Sequence, residues 1–345
     1  MQLRGNRSDL GRLARRIALI AWLGGALATC GALTGTSSPS GVPLPTAAVA
    51  TRTPTPRPTA TPRPTATALP TGTPVPQPWR FVVLGDTRTE GLKPPDVTYA
   101  IVERAAEAQP EIVLAVGDLI NALDTPDEVR EQWRQWRAAV APLGAGRQAP
   151  WLLITPGNHD VQGHGWATDL LAEAFPELPD SGPSGYGRRT YAVDYRDVRF
   201  ISLDSERIDA MHQLGATQLD WLEAQLRDNP RRYTIVFSHD PAYPVGPHIG
   251  SSLDAYPQDR DRLWQLLRDY KATAYVAGHE HLYNRRAVEG VEQIIAGTSG
   301  SFVYAGYGGE FYHYLVGEVG PEGLTITVYD QKGAERDRFT LAQSP

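Results

Sequence analysis

The sequence predicts an α/β fold: two packed mixed β-sheets flanked by helices, a four-layer αββα sandwich. Three observations carry this. Five short continuous apolar runs, at 80–86, 111–118, 150–158, 233–240 and 272–279, suit strands buried on both faces. Longer amphipathic stretches separate them, the alternation of βαβ units whose helices cover a sheet. A second group, at 189–205, 291–301, 311–319 and 324–333, alternates apolar and polar residues and reads as antiparallel hairpins. Two mixed sheets accommodate both kinds of connection.

The first 78 residues stand apart. Residues 1–29 hold Arg4, Arg7, Arg12, Arg15 and Arg16, then a 12-residue apolar run from Ile17 to Ala28. A basic stretch followed by a short apolar one reads as a secretory signal. The run falls short of the roughly 20 residues that span a bilayer; the competing reading is an uncleaved anchor. Leu27 to Cys30 resembles a bacterial lipobox, so the expectation is export, lipidation at Cys30, and tethering to the membrane at the cell surface. Cys30 is the one cysteine of the chain, which excludes internal disulfides and zinc–thiolate sites. Residues 30–78 are Thr/Pro-rich, with TPRPTATPRPTATALPTGTP a near-repeat; such composition favours an extended spacer without a core. The folded domain is expected at 79–345.

Within it, strands are expected at 80–86, 111–118 and 150–158, with helices over about 95–109 and 126–142. Trp133 and Trp136, three apart on the second helix, read as core. A hairpin around Arg196–Asp197 follows. Then come a helix at 217–229, a strand at 233–240, a helix at 259–270 and a strand at 272–279. The remaining segments are strands, with a turn at Gly320–Gly323. The chain carries a formal charge of −6, of which residues 1–78 contribute +7, leaving −13 for the domain. An acidic domain argues against a nucleic-acid-binding surface and suits metal binding. Composition says nothing of oligomeric state.

Five runs end in potential ligands: LGDTR at 84–88, VGDLIN at 116–121, GNHD at 157–160, SHD at 238–240 and GHEH at 278–281. In open α/β sheets, ligands gather at the carboxyl ends of strands, so residues distant in sequence converge there. Aspartate, asparagine and histidine are the donors that a pair of divalent cations requires.

In order and spacing these motifs resemble the calcineurin-like metallophosphoesterases. HLYNR at 281–285 is similar to the purple acid phosphatase branch. The resemblance implies two divalent cations (Mn, Fe or Zn), one held by Asp118, Asn158, His239 and His279. The other would be held by Asp86, Asp118 and His281, with Asp118 bridging. It also implies a phosphate-ester substrate, mono- or diester, attacked by a water acidified by the cations, with His159 as general acid.

Two positions depart from the pattern. Arg88 stands where many members have a metal-binding histidine, and Asn121 where the purple acid phosphatases have a metal-binding tyrosine. An arginine cannot ligate, so the second site is underfilled. Three readings stay open: a second cation with three protein ligands and added water, aided by Asn121; Arg88 clamping a phosphate oxygen; or an impaired single-metal module that binds phosphorylated surface ligands. A surface Arg88–Glu90 pair is the bland alternative. Asn121 is also placed to orient His159, with Asp160 the competing partner. His164, His212, His248 and His313 read as loop or surface histidines, although His248 is a candidate pocket residue. Tyr283 and Asn284 are candidate substrate contacts, and the arginine-ended loop 176–190 a candidate lid.

Overall fold

The computed structural model describes residues 77–144, 151–161 and 164–344. The signal segment, Cys30 and nearly all of the spacer lie outside these. Sheet one runs β14–β13–β12–β1–β2–β3. Its central strands are β1 (Trp79–Leu84), β2 (Ile112–Ala115) and β12 (His313–Gly320), flanked by β3 (Leu152–Ile154), β13 (Gly323–Asp330) and β14 (Glu335–Leu341). β1 pairs parallel with β2, as β2 does with β3, and antiparallel with β12. Sheet two runs β10–β11–β9–β8–β5–β4, that is Tyr283–Val288, Val291–Ala296, Ala274–Ala277, Tyr233–Phe237, Val198–Ser202 and Tyr191–Tyr195. Its four inner strands are parallel to one another, and both edges are antiparallel. β6 (Glu206–Arg207) and β7 (Ala210–Met211) form a separate small hairpin.

The four layers follow from side-chain alternation. In sheet two, Phe200, Ile235, Phe237 and Val276 join the central core with β1, β2 and β3. Their neighbours Ile201, Val236, Tyr275 and Ala277 join a second core with Leu219 and Leu222 of α5 (Gly215–Arg227) and Leu263, Trp264 and Leu267 of α6 (Pro257–Asp269). Successive residues of a strand point to opposite faces, so both faces of sheet two are covered. Phe81 of β1 meets Phe200 across the sheets, ring centroids 5.6 Å apart. α1 (Asp96–Ala106), α2 (Pro126–Val140) and α4 (Gly165–Ala174) share the core with sheet one. Trp133 and Trp136 pack on Phe175 in that core, as expected of the pair. α3 (Asn158–Val161) is a single turn.

The predicted αββα sandwich is therefore observed. The structure adds α4, β10 and β14, none of which the sequence pattern announced. Each of the five motifs begins within a few residues of the end of β1, β2, β3, β8 or β9, so all emerge together.

Candidate active site

Asp86, Asp118, His239, His279 and His281 converge and are buried, with Asn158 on the first turn of α3 beside them. Their backbones are unusual. Asp86 (φ 50°), Asp118 (φ 53°), His279 (φ 70°) and His281 (φ 47°) all adopt left-handed conformations. For residues other than glycine this costs about 1–3 kcal/mol each and persists only where surrounding structure imposes it. Here the loops interlock: the Asp86 N–H donates to Gly117 O (3.0 Å) and the Thr87 and Arg88 N–H groups to Asp118 O (2.9 and 3.0 Å).

Candidate ligand side chains pack on Gly117 and Gly157 of the motifs. A Cβ on Gly117, itself at φ 85°, would lie 2.5 Å from His239 Nδ1. One on Gly157 would lie 2.3 Å from Asp118 Oδ1.

Hydrogen bonds fix which histidine nitrogens are available. His239 Nδ1–H donates to Val116 O (2.9 Å), which in the neutral ring leaves the lone pair on Nε2. His279 Nε2–H donates to Ser251 O (2.9 Å), which leaves its lone pair on Nδ1. These two lone-pair nitrogens face each other at 3.1 Å, and Asn158 Oδ1 lies 3.1 Å from His239 Nε2. Asp118 Oδ1 is 3.5 Å from the same nitrogen. Acceptors converging on one point repel unless positive charge lies between them, so this donor set fits a divalent cation. Asp86, Asp118 and His281 form a second group whose donor atoms lie within 4.8 Å of one another.

The electrostatics agree. Burial opposes ionisation of Asp118, yet His239, His159, Arg88 and His279 hold its pKa below the usual carboxylate range. Asp86 is pushed well up, by burial first and partly by Asp118. Burial works against the His239 imidazolium, but Asp118, Asp86 and Glu206 together raise its pKa. Two acids compete for too little positive charge, the deficit a cation removes.

Arg88 is at the site and not on the surface. Its Nε donates to Asp118 Oδ2 at 3.1 Å, and its side chain is only 10% exposed. The Glu90 pairing also exists, at 3.7 Å. His159 Nδ1 lies 2.7 Å from Asn121 Oδ1, and Asn121 Nδ2 donates to Glu90 Oε2 at 2.9 Å. That second bond fixes the amide orientation, so Asn121 accepts the His159 Nδ1–H. Asp160 is engaged elsewhere: it accepts from the N–H groups of Leu119, Ile120 and Gly157 and clamps the two motif loops together.

Two further histidines belong here: His248, a candidate pocket residue in the sequence, and His212, expected to be peripheral. His248 packs on His279, ring centroids 4.0 Å apart. His212 Nδ1 lies 2.7 Å from Asp240 Oδ2, and Asp240 Oδ1 is 3.7 Å from His279 Nε2. His212, Asp240 and His279 also form a candidate metal group. Because His279 turns Nδ1 toward His239, His212 and Asp240 back this ligand from behind. Asp240 sits in the SHD segment, which gave no indication of contact with His212. His313 is buried and bonds Phe311 O, and His164 stacks on Trp166. Tyr283 bonds Asp337 instead of facing the site (2.7 Å). The arginines of the candidate lid are spent within the fold, Arg188 on Leu178 O and Arg189 on Asp204.

The model of the calcineurin-like phosphoesterase family matches residues 80–283. The chain belongs to this family. Its relatives include phosphodiesterases and acid phosphatases. It is 30% identical to a glycerophosphodiester phosphodiesterase of Enterobacter lignolyticus, over 50% of this chain and 56% of that protein. It is 26% identical to a probable cyclic nucleotide phosphodiesterase of Rhodococcus erythropolis, over 56% of this chain and 59% of that protein. It thus spans little more than half the length of these two relatives. With rat tartrate-resistant acid phosphatase type 5 it shares 23% identity over 68% of this chain and 80% of that protein. The structure of a purple acid phosphatase from yellow lupin has the same fold, with TM-score 0.60 and 18% identity, over 76% of this chain and 53% of that one.

Proposed function

We propose that the chain is an exported, membrane-tethered phosphoesterase that hydrolyses a phosphomonoester or phosphodiester with two divalent cations, Mn, Fe or Zn. The observation that carries the reading is the pair of lone-pair nitrogens, His239 Nε2 and His279 Nδ1, facing each other at 3.1 Å beside Asn158 and an ionised Asp118. In this reading Asp118, Asn158, His239 and His279 hold one cation, and Asp86, Asp118 and His281 the other. When bound, the cations supply charge neutralisation at the phosphoryl oxygens and a water acidified toward neutral pH.

The protein groups do the rest. His159 is the general acid. Asn121 holds its Nδ1–H, so the proton for the leaving oxygen is the one on Nε2. Burial lowers the His159 pKa, and Asp118 opposes that fall. Arg88 spends Nε on Asp118, and its Nη groups retain N–H donors for a phosphoryl oxygen. Export and tethering are supported by the basic and apolar N-terminal stretch and the LATC segment ending at Cys30.

The purified full chain, supplied with Mn²⁺, should hydrolyse a chromogenic phosphate mono- or diester. His159→Ala should lower kcat by about 10²–10⁴-fold at unchanged metal content. Equal loss of turnover and metal would make His159 structural. A second reading is favoured by the Arg88–Asp118 bond: a guanidinium occupies one oxygen of the bridging carboxylate, as in a single-metal module that binds phosphorylated ligands. One metal per chain with no turnover would select it.

A further inference from the structure

At the His281 side of the site an aromatic wall stands open to solvent. Phe302 is 54% exposed, the one phenylalanine among the described residues left so open. Its ring centroid is 4.8 Å from that of His281 and 4.9 Å from that of Tyr304. Tyr304 in turn stacks on His281 at 5.0 Å and 25°, and His248 meets Tyr304 edge-on at 5.6 Å.

The loop carrying these rings is fastened to the backbone that carries the site. The Ser299 N–H donates to Gly85 O and the Ser301 N–H to Asp86 O, each at 2.7 Å. Ser301 Oγ donates to Arg88 O (3.3 Å) and the Tyr304 N–H to His281 O (3.3 Å). The exposed aromatic is therefore held in fixed register with Asp86, Arg88 and His281. An exposed ring fixed beside a cluster of polar donors is the apolar side of a mixed ligand pocket.

A phosphoester has one ionic end and one organic end. Arg88 and the ligand cluster serve the ionic end. The wall begins at His281, within reach of a group attached to the bound phosphoryl, and offers flat π-surfaces. We propose that Phe302 and Tyr304 form a stacking platform for the organic group of the ester, favouring planar aromatic groups, simple aryl or nucleobase, over short aliphatic ones. The proposal rests on the phosphoester reading above.

The test is binding to the full chain with Mn²⁺ present, which needs no turnover. Phenylphosphonate and methylphosphonate are compared by calorimetry, with a nucleoside phosphonate as a third ligand. Wild type should bind at least one aromatic ligand about ten-fold more tightly than methylphosphonate, the scale of one aromatic stack. Which aromatic ligand wins separates an aryl group from a nucleobase. Phe302→Ala should reduce that preference to about two-fold or less and leave methylphosphonate affinity unchanged, and Phe302→Trp should restore it. No preference in wild type, no binding of any ligand, or equal weakening of all ligands by Phe302→Ala overturns the platform. Intact binding without turnover of any ester sinks the phosphoesterase reading and leaves the platform standing.

Discussion

Arg88 is the residue on which the metal count turns. It stands where a neutral imidazole would add a ligand to the Asp86–Asp118–His281 group, and instead brings a fixed charge to within 3.1 Å of Asp118. That charge helps keep Asp118 ionised without any cation. It also competes for the oxygen a second cation needs. Arg88→His removes the competitor and adds a donor, so occupancy of the second site at limiting Mn²⁺, measured by emission spectroscopy, should rise. If occupancy is unchanged while turnover disappears, Arg88 acts on the phosphate and not on the metal. Asn121 is held at both ends: its amide oxygen accepts the His159 Nδ1–H, and its Nδ2 donates to Glu90. The sequence displayed Arg88, Asn121 and all six ligand candidates because each closes an apolar run. It marked His248 only as a candidate pocket residue and did not display His212. Both ride on irregular segments, where no periodicity tells which way a side chain turns.

At the scale of elements, the five ligand-bearing strands were readable because they are buried on both faces and consist of apolar residues. β10 and β14 were not, for the opposite reason. Each is the edge of its sheet, and YNRRAV and ERDRFTL carry the charges that keep an edge from pairing with another chain. α4 is short, and His164 before it provides no side-chain cap, so its start has no marker in the sequence. The strands that were readable also bear the load between the sheets. Phe81 fills the space over Gly317, where a Cβ would lie 2.1 Å from its ring, and meets Phe200 beyond. Phe81→Ala should therefore cost about 3–5 kcal/mol in denaturant unfolding. A loss below about 1 kcal/mol would show that the sheets close over the gap.

At the scale of the molecule, the two sheets bring strand ends of both together, so a cluster of acids and imidazoles is assembled from segments up to 195 residues apart, Asp86 to His281. No helix of the described residues is long and apolar enough to cross a membrane. Tethering is proposed to reside in Cys30. Cys30→Ala in a bacterial host should move the protein from the membrane pellet to the soluble exported fraction; an unchanged pellet would point to an uncleaved anchor.

We propose that converging acceptors at the strand ends bind the cations that make this chain a phosphoesterase. Stripping the full chain with a chelator and titrating Mn²⁺ back, while following hydrolysis of bis(p-nitrophenyl) phosphate and p-nitrophenyl phosphate, tests it most directly. Turnover of one ester or both should vanish on chelation and return with added metal, reaching its plateau near two equivalents. Folded protein that hydrolyses neither ester with Mn²⁺, Zn²⁺ or iron, or that does so equally well when metal-free, would contradict it.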